Sequence, residues 1–464
     1  MPTAVTATPL LRRERIGYGL GSVATGAFGT VPGLMLLPYL TDTLGIAAAV
    51  AAVIVFLPKA WDVVLNPIAG RISDRSTDPR GPRRGFLLRA GVLLAVTFAL
   101  IFAGPATGSK VLDATWVLVF FLGCATAYAF FQVPYVAMPA ELTSSYDERT
   151  RLMTWRVAIL AFTIMLCGAS APAVRDAVGG REGYRLMGVL IALVILVGVI
   201  GVYRGTRTAP AGRAVAAGGT LREQLRVVAA SADFRVLLTT FVIQALAVGA
   251  MLAGVDYLAR HVLGQTGAST LLFVCFVAPA LLLTPVWARI GERIGKKQGY
   301  VASSLVLATG ALLVVLAREV PAVVVFASVT LIGVGYAGCQ MFPLAMLPDA
   351  AAVDAARSGS NRAGVFTGVW TAGETLGLAL GPGVFALILA LGDYRSSAGG
   401  GVTQPDSALT AIVLGFSVLP AVLVVASLWW LRRYTLTAEE VAAAHAAALP
   451  PGTDPGTDLA METP

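Results

Sequence analysis

Charged side chains are scarce in this sequence, at 13% of its residues, where an ordinary soluble domain carries about 25%. With 57% hydrophobic residues and a mean hydropathy of +0.78, the chain has more apolar surface than a water-soluble fold could hide. Histidine is nearly missing, since only His261 and His445 occur, so no histidine cluster can be built. The cysteines are Cys124, Cys167, Cys275 and Cys339. All fall within apolar runs, without the paired spacing of a zinc site or a disulfide framework, and read as small packing residues. There is no phosphate-binding glycine loop followed by Lys-Ser/Thr and no nucleophile elbow, which argues against an ATP-driven pump and against the common hydrolases. No catalytic residue, resident metal or cofactor is expected, and the chain does not read as an enzyme.

The long apolar runs make up most of the sequence. A hydrocarbon core of roughly 30 Å needs about 20 apolar residues per helix, and windows of that length predict twelve spans: 16–43, 46–72, 86–104, 112–140, 152–173, 186–204, 234–261, 268–290, 298–317, 320–348, 362–391 and 408–432. Residues 1–15 are polar and precede a full-length span, so they read as a cytoplasmic leader and not as a cleavable signal. The net charge of +8 is not a nucleic-acid patch, because its distribution follows the spans. Of 34 Lys and Arg, 26 fall on the side of the N-terminus. Seven fall on the other face (Lys110, Arg175, Arg181, Arg185, Arg260, Arg318, Arg395), and Lys59 lies inside a helix. By the positive-inside rule both termini are cytoplasmic, which an even number of spans satisfies, and the expected location is the inner (plasma) membrane.

The chain divides six plus six. Residues 16–204 form one expected six-helix bundle and 234–432 the other, joined by a cytoplasmic linker, 205–233, that ends in a short amphipathic helix at Leu221 to Val228. A repeat supports the division. Pro67-Ile-Ala-Gly-Arg71-Ile72-Ser-Asp74-Arg75 after the second span is echoed by Pro285-Val-Trp-Ala-Arg289-Ile290-Gly-Glu292-Arg293 after the eighth, and each is followed by a basic pair, Arg83-Arg84 or Lys296-Lys297. Equivalent loops of this kind are what a duplicated six-helix unit leaves behind. Residues 433–464, rich in Ala, Pro, Gly and Thr, read as a disordered cytoplasmic tail. The fold class is therefore an all-α membrane protein with two pseudo-symmetric bundles.

The stretch from Lys59-Ala-Trp61-Asp62 through Leu65-Asn66-Pro67 to Asp74-Arg75, with Gly81-Pro82-Arg83-Arg84, resembles the signature of the glycoside-pentoside-hexuronide:cation symporters, the melibiose permease family of the major facilitator superfamily. Tyr128-Ala-Phe-Phe-Gln132-Val-Pro134-Tyr135 is similar to that family's fourth helix, Glu148 through Trp155-Arg156 to the start of its fifth, and Gly364 through Trp370, Gly377 and Gly381 to its eleventh. The resemblance implies alternating access driven by an ion gradient. Departures from the pattern bear on specificity. Thr25-Gly26 stand where the family has a Lys-Asp pair, Gln132 replaces a sugar-binding Asp, Val136 a Trp, Leu65 an Asn, Asn66 a second cation-site carboxylate, and Glu374 a Lys.

A charge held within a span is costly, by about 2.5–3.5 kcal/mol on insertion scales, and so is a functional candidate. Asp62, with Lys59 three residues earlier on the same helical face, reads either as a cation or proton site or as a structural ion pair. Asn66, one turn on, can offer a carbonyl oxygen to sodium. Glu374, flanked by Gly373 and Gly377, can be neutral at one stage of a cycle and charged at another, or can pair with Arg156 or Lys59 across the pore. Tyr128, Gln132 and Arg156 from the first half and Gln340, Trp370 and Glu374 from the second are the candidate substrate contacts, while Asp256 lies near the outer end and reads as solvent-exposed. Asp74, Arg75, Arg83 and Arg84, with Glu292 and Arg293, form a candidate gate at the inner surface that Glu141 and Asp349 would join; contact with anionic lipid is the alternative.

These observations lead to a monomeric symporter for a sugar, glycoside or related polar solute, coupled to H+ in preference to Na+. A lysolipid or other amphiphile carrier of the same fold, with the less polar cavity that Gly26 and Gln132 imply, is the alternative within transport; a non-transporting membrane sensor or scaffold is the alternative outside it.

Overall fold

Apolar runs in a bilayer become helices because each backbone N–H and C=O must find its partner within the segment. The computed structural model describes residues 10–74, 76, 83–105, 107–143, 146–207, 226, 229–265, 267–358, 363–398 and 402–447, and every regular element among them is helical. The first six spans are α1 (Arg12–Pro38), α2 (Ala48–Asp74), α3 (Arg84–Phe102), α4 (Lys110–Ala137), α5 (Tyr146–Val178) and α6 (Gly180–Gly205). The second six are α7 (Ala232–Tyr257), α8 (Ala268–Leu282 and Thr284–Ile294), α9 (Lys296–Leu313), α10 (Ala322–Ser358), α11 (Ala363–Leu391) and α12 (Asp406–Phe416 and Val418–Leu431). Among the described residues eleven spans are long and apolar enough to cross a membrane unaided, and the two pieces of α8, bent by 50°, make a twelfth when taken as one broken span. Pro285 is responsible for this break: it has no N–H to give the preceding turn and sits in the first turn of the restarted piece.

Packing repeats with a period of six helices. α1 lies against α5 and α6, α3 against α4 and α6, and α2 against α4; in the second half α7 lies against α11 and α12, α9 against α10 and α12, and α8 against α10. Both α1 and α7 end in a π-turn, Tyr39–Thr43 and Leu258–Val262, a widening that is frequent at functional sites. Close approach is achieved with small residues. A Cβ on Gly17 would lie 2.5 Å from the Cα of Gly205, so α1 and α6 cross with nothing between their backbones. The halves meet along α2 against α11, α5 against α8, and α1 against α7.

The structureless tail expected from residue 433 is corrected in its first part. Lys297 donates to the carbonyls of Arg432 and Tyr434, at 3.2 and 2.6 Å, and Thr435 donates to Asp233. These contacts fix the turn after α12, and a helix then runs over Ala438–Ala447 and packs on α10. Composition alone misread this stretch because its ordering comes from partners elsewhere in the chain. Residues 448–464, and 208–225 of the linker with Val227 and Val228, lie outside the described residues.

Candidate functional site

In the first half, polar groups gather where α1, α2, α4 and α5 face one another. Asp62, on α2, is 1% exposed, and neither carboxylate oxygen has a hydrogen-bond partner. The expected Lys59–Asp62 ion pair is not among the described ion pairs. The Lys59 ammonium instead stands 4.4 Å from the centre of the Phe28 ring on α1, a cation–π contact, and acts on Asp62 through space without a direct bond. The Phe28 ring also meets that of Tyr128, with centroids 4.4 Å apart. Asp62, Arg156 and Glu374 all lie close enough to act electrostatically on the Tyr128 phenol, so charges from both halves converge on one side chain of α4. Asn66 is half-buried on α2. Gln132 accepts a hydrogen bond from Thr25 at 2.7 Å. The Arg156 guanidinium lies 5.5 Å from the Tyr135 ring centre and contacts the Met153 sulfur at 3.8 Å. No ion pair joins it or Lys59 to Glu374 among the described residues, so the pairing expected across the pore is not made.

The second half contributes a cleft. α7 lines it with Phe241, Gln244, Ala245 and Val248, and α9 with Leu307. Tyr336, Cys339 and Gln340 of α10 and Glu374 and Leu378 of α11 complete it. Gln340 donates to the Tyr336 hydroxyl at 2.6 Å. Trp370 does not reach the cleft: at 2% exposure it is stacked behind Phe241, with ring centroids 4.4 Å apart. Gln244 escaped the sequence reading, although an amide in the otherwise apolar middle of α7 was the available signal.

At the end of the molecule away from the N-terminus, here the far end, the halves are sealed by paired polar groups. Arg175 of α5 and Asp256 of α7, each 1% exposed, form a bidentate pair at 2.9 and 2.6 Å. Asp256 also accepts from Ser269 at 2.6 Å, and Arg260 donates to Asp176 at 2.5 Å. Asp256 is therefore buried, contrary to the exposure expected from its position, because the opposite half brings a guanidinium to it. A second cluster joins Asp42, which accepts from Tyr394 at 2.6 Å, to His261 at 3.2 Å, while the Ser397 N–H donates to the Thr41 carbonyl. Burial and the Asp42 carboxylate push the Tyr394 phenol far above its usual range, so it stays protonated and donates.

The near end, which carries the N-terminus, holds the candidate gate. Arg75 and the side chains of Asp74 and Glu141 lie outside the described residues. Arg83 and Arg84 are buried, and Arg84 donates to the Arg207 carbonyl after α6 at 3.2 Å. Glu292 and Arg293 are exposed and make no ion pair among the described residues. Their neighbour Lys296 does, reaching Asp349 at 2.5 Å. Glu148, which had no assigned role, is buried at the start of α5 and accepts two hydrogen bonds from Arg15 of α1, at 2.9 and 2.7 Å.

Mid-membrane polar groups on two six-helix bundles, sealed at one end, describe a carrier, and the sequence matches the family described as MFS/sugar transport protein over residues 17–438. The chain belongs to this family. Its relatives include the candidate glycoside/cation symporter YagG of Escherichia coli (strain K12), 26% identical with 94% of each chain covered. The isoprimeverose transporter of Lactiplantibacillus pentosus is 24% identical, with 88% of this chain and 85% of the other covered. Among solved structures, an inward-facing, unoccupied bacterial homologue of the human lysosomal transporter Spinster superposes with a TM-score of 0.67 at 13% identity, covering 95% of this chain and 98% of that one. A D-xylose-proton symporter superposes with a TM-score of 0.64 at 13% identity, with 92% and 98% covered. At such identities the structural likeness speaks for the fold. This family member is a multi-pass membrane transporter of small molecules and not an enzyme.

Proposed function

We propose that this family member is a proton-coupled symporter of a sugar or glycoside, seated in the plasma membrane as a monomer with both termini cytoplasmic. Asp62 carries this reading: it is a carboxyl group held in the membrane with neither oxygen hydrogen-bonded, and the nearby Lys59 contacts the Phe28 ring in place of a direct bond to it. A carboxylate without a paired cation can take up and release a proton as the halves rock about the site, and each half contributes polar contacts for solute hydroxyls. Thr25 and Gln132, with Tyr128 and Arg156, would read the solute from the first half, and Gln340 and Glu374 from the second. Alternation is supported by the seal: its contacts join α1 and α5 to α7 and the segment after α11, and must part for the far end to open. The charge bias of the loops makes the near end the cytoplasmic one.

Uptake into proteoliposomes tests this directly. An inward proton gradient should drive accumulation of a glycoside, and a sodium gradient without a pH difference should not. Asp62→Asn should abolish accumulation while leaving the protein folded in the membrane. Full concentrative uptake by that variant removes Asp62 from coupling, and uptake that follows sodium alone assigns the site to a metal cation.

A further inference from the structure

Gln244 of α7 is 3% exposed and faces the cleft of the second half. Its amide nitrogen donates to the hydroxyls of Ser304 on α9 and Ser427 on α12, each at 3.0 Å. Each serine has already given its own proton to a backbone carbonyl, Ser304 to Tyr300 at 2.8 Å and Ser427 to Val424 at 2.6 Å. With those protons so placed both hydroxyls accept, and the NH2 end of the amide satisfies them. In this arrangement Oε1 of the amide is left as a buried acceptor with no partner among the described residues. Buried polar groups of this kind find a donor in native proteins with few exceptions.

The rest of the cleft is short of positive charge. The Glu374 carboxylate lines it and makes no hydrogen bond or ion pair among the described residues. Gln340 donates one amide N–H to the Tyr336 hydroxyl, which leaves its second N–H, its carbonyl oxygen and the phenol proton for a solute. Among the described residues no Lys, Arg or His lines the cleft, and its remaining walls, Phe241 and Leu307 among them, are apolar. The site therefore offers one negative charge, several oxygen acceptors and aromatic faces, with no cation of its own. An ammonium group supplies what is missing. It brings a positive charge and up to three N–H donors, its hydrogen bonds to a carboxylate are charge-assisted, and the rings of Phe241 and Tyr336 favour a cation nearby. A bare metal ion fits less well, because the apolar walls leave it short of the oxygen ligands it needs.

We infer that the transported solute carries a primary or secondary ammonium group, which seats in this cleft between Gln244 and Glu374. The inference rests on the reading of the central cavity as the solute site and names the chemistry of one end of that solute. The contacts around Thr25 and Gln132 read its hydroxyls.

Binding to the purified protein in lipid nanodiscs, followed by calorimetry at neutral pH, tests it with matched probes. These are D-glucosamine, D-galactosamine and 1-amino-1-deoxy-D-sorbitol, each against its hydroxyl counterpart and its N-acetyl derivative. In at least one set the amine should bind about tenfold or more tightly than both neutral partners, and Glu374→Gln and Gln244→Leu should each erase the difference. Glu374→Gln, at the cleft surface, carries the test alone if Gln244→Leu fails to fold. Neutral members that bind as well as the amines in every set, amine preference that survives Glu374→Gln, or no amine binding at all overturns the inference. A sodium-dependent stabilisation lost in Glu374→Gln, with no amine binding, overturns it in favour of an inorganic cation. Accumulation of neutral sugars by proteoliposomes that ignore the amines sinks this inference and spares the proposed symport; inertness towards both classes sinks both.

Discussion

Removal of Asp256 should open the far end. Its carboxylate holds Arg175 of the opposite half in a bidentate pair, with both side chains 1% exposed. Orphaning one member of a buried pair costs about 3–5 kcal/mol where nothing else compensates. Here compensation exists: Arg175 also lies 2.8 Å from Asp176 and donates to Tyr184 at 3.1 Å. The net cost to the sealed state should then fall to about 1–3 kcal/mol, since hydrogen bonds to charged groups are worth about 1.5–3 kcal/mol each. In the opened state water reaches Arg175 and the cost disappears, so the whole difference appears in the equilibrium between the two. At 1.4 kcal/mol per factor of ten, Asp256→Ala should raise the ratio of open to sealed far ends by about 5- to 140-fold. Spin labels at Val111 of the first half and Leu391 of the second, 74% and 85% exposed, would report it as a longer distance population. Asp256→Asn, which keeps an acceptor and loses the charge, should give a smaller shift. A distance distribution for Asp256→Ala that superposes on the parent refutes the idea that this pair holds the seal.

Other outcomes rest partly on the sequence and partly on the contacts described above. Cysteines placed at Lys110 and Arg181 should react with impermeant reagents from outside intact cells and those in the 205–233 connection only after permeabilisation; the reverse pattern would invert the topology. Glu148→Gln should lower the melting temperature of the detergent-solubilised protein, because Arg15 loses a bidentate partner and a charge-assisted bond is worth about 1.5–3 kcal/mol; an unchanged melting point would mean that the pair contributes nothing net. Gly168→Val should shift the equilibrium away from the sealed far end, since a Cβ there meets the Phe273 ring of α8 across the interface between halves, and cross-linking between the two helices should fall. Asp74→Ala should bias the resting protein towards an open near end, read by spin-label distances across the near ends, and an unchanged distribution would leave only the lipid-contact role for this loop.

Class, number of spans and the six-plus-six division were all legible in the order of residues. Those properties follow from local rules: a fixed hydrocarbon thickness, and a backbone that must satisfy itself within each segment, act on contiguous residues. The break in α8 was also written locally, in Pro285, but a window average passes over a single residue. Pairings across the fold were beyond reach. Lys59 and Asp62 share a helical face, yet Phe28, from another helix, takes the lysine. Asp256 read as exposed because its height in the membrane is a local property, whereas its burial depends on a guanidinium 81 residues away in the chain. Gln244 meets two serines, 60 and 183 residues distant. Only the tertiary structure brings such groups within hydrogen-bond reach, and a buried polar group takes its meaning from the partner it finds, or fails to find, there.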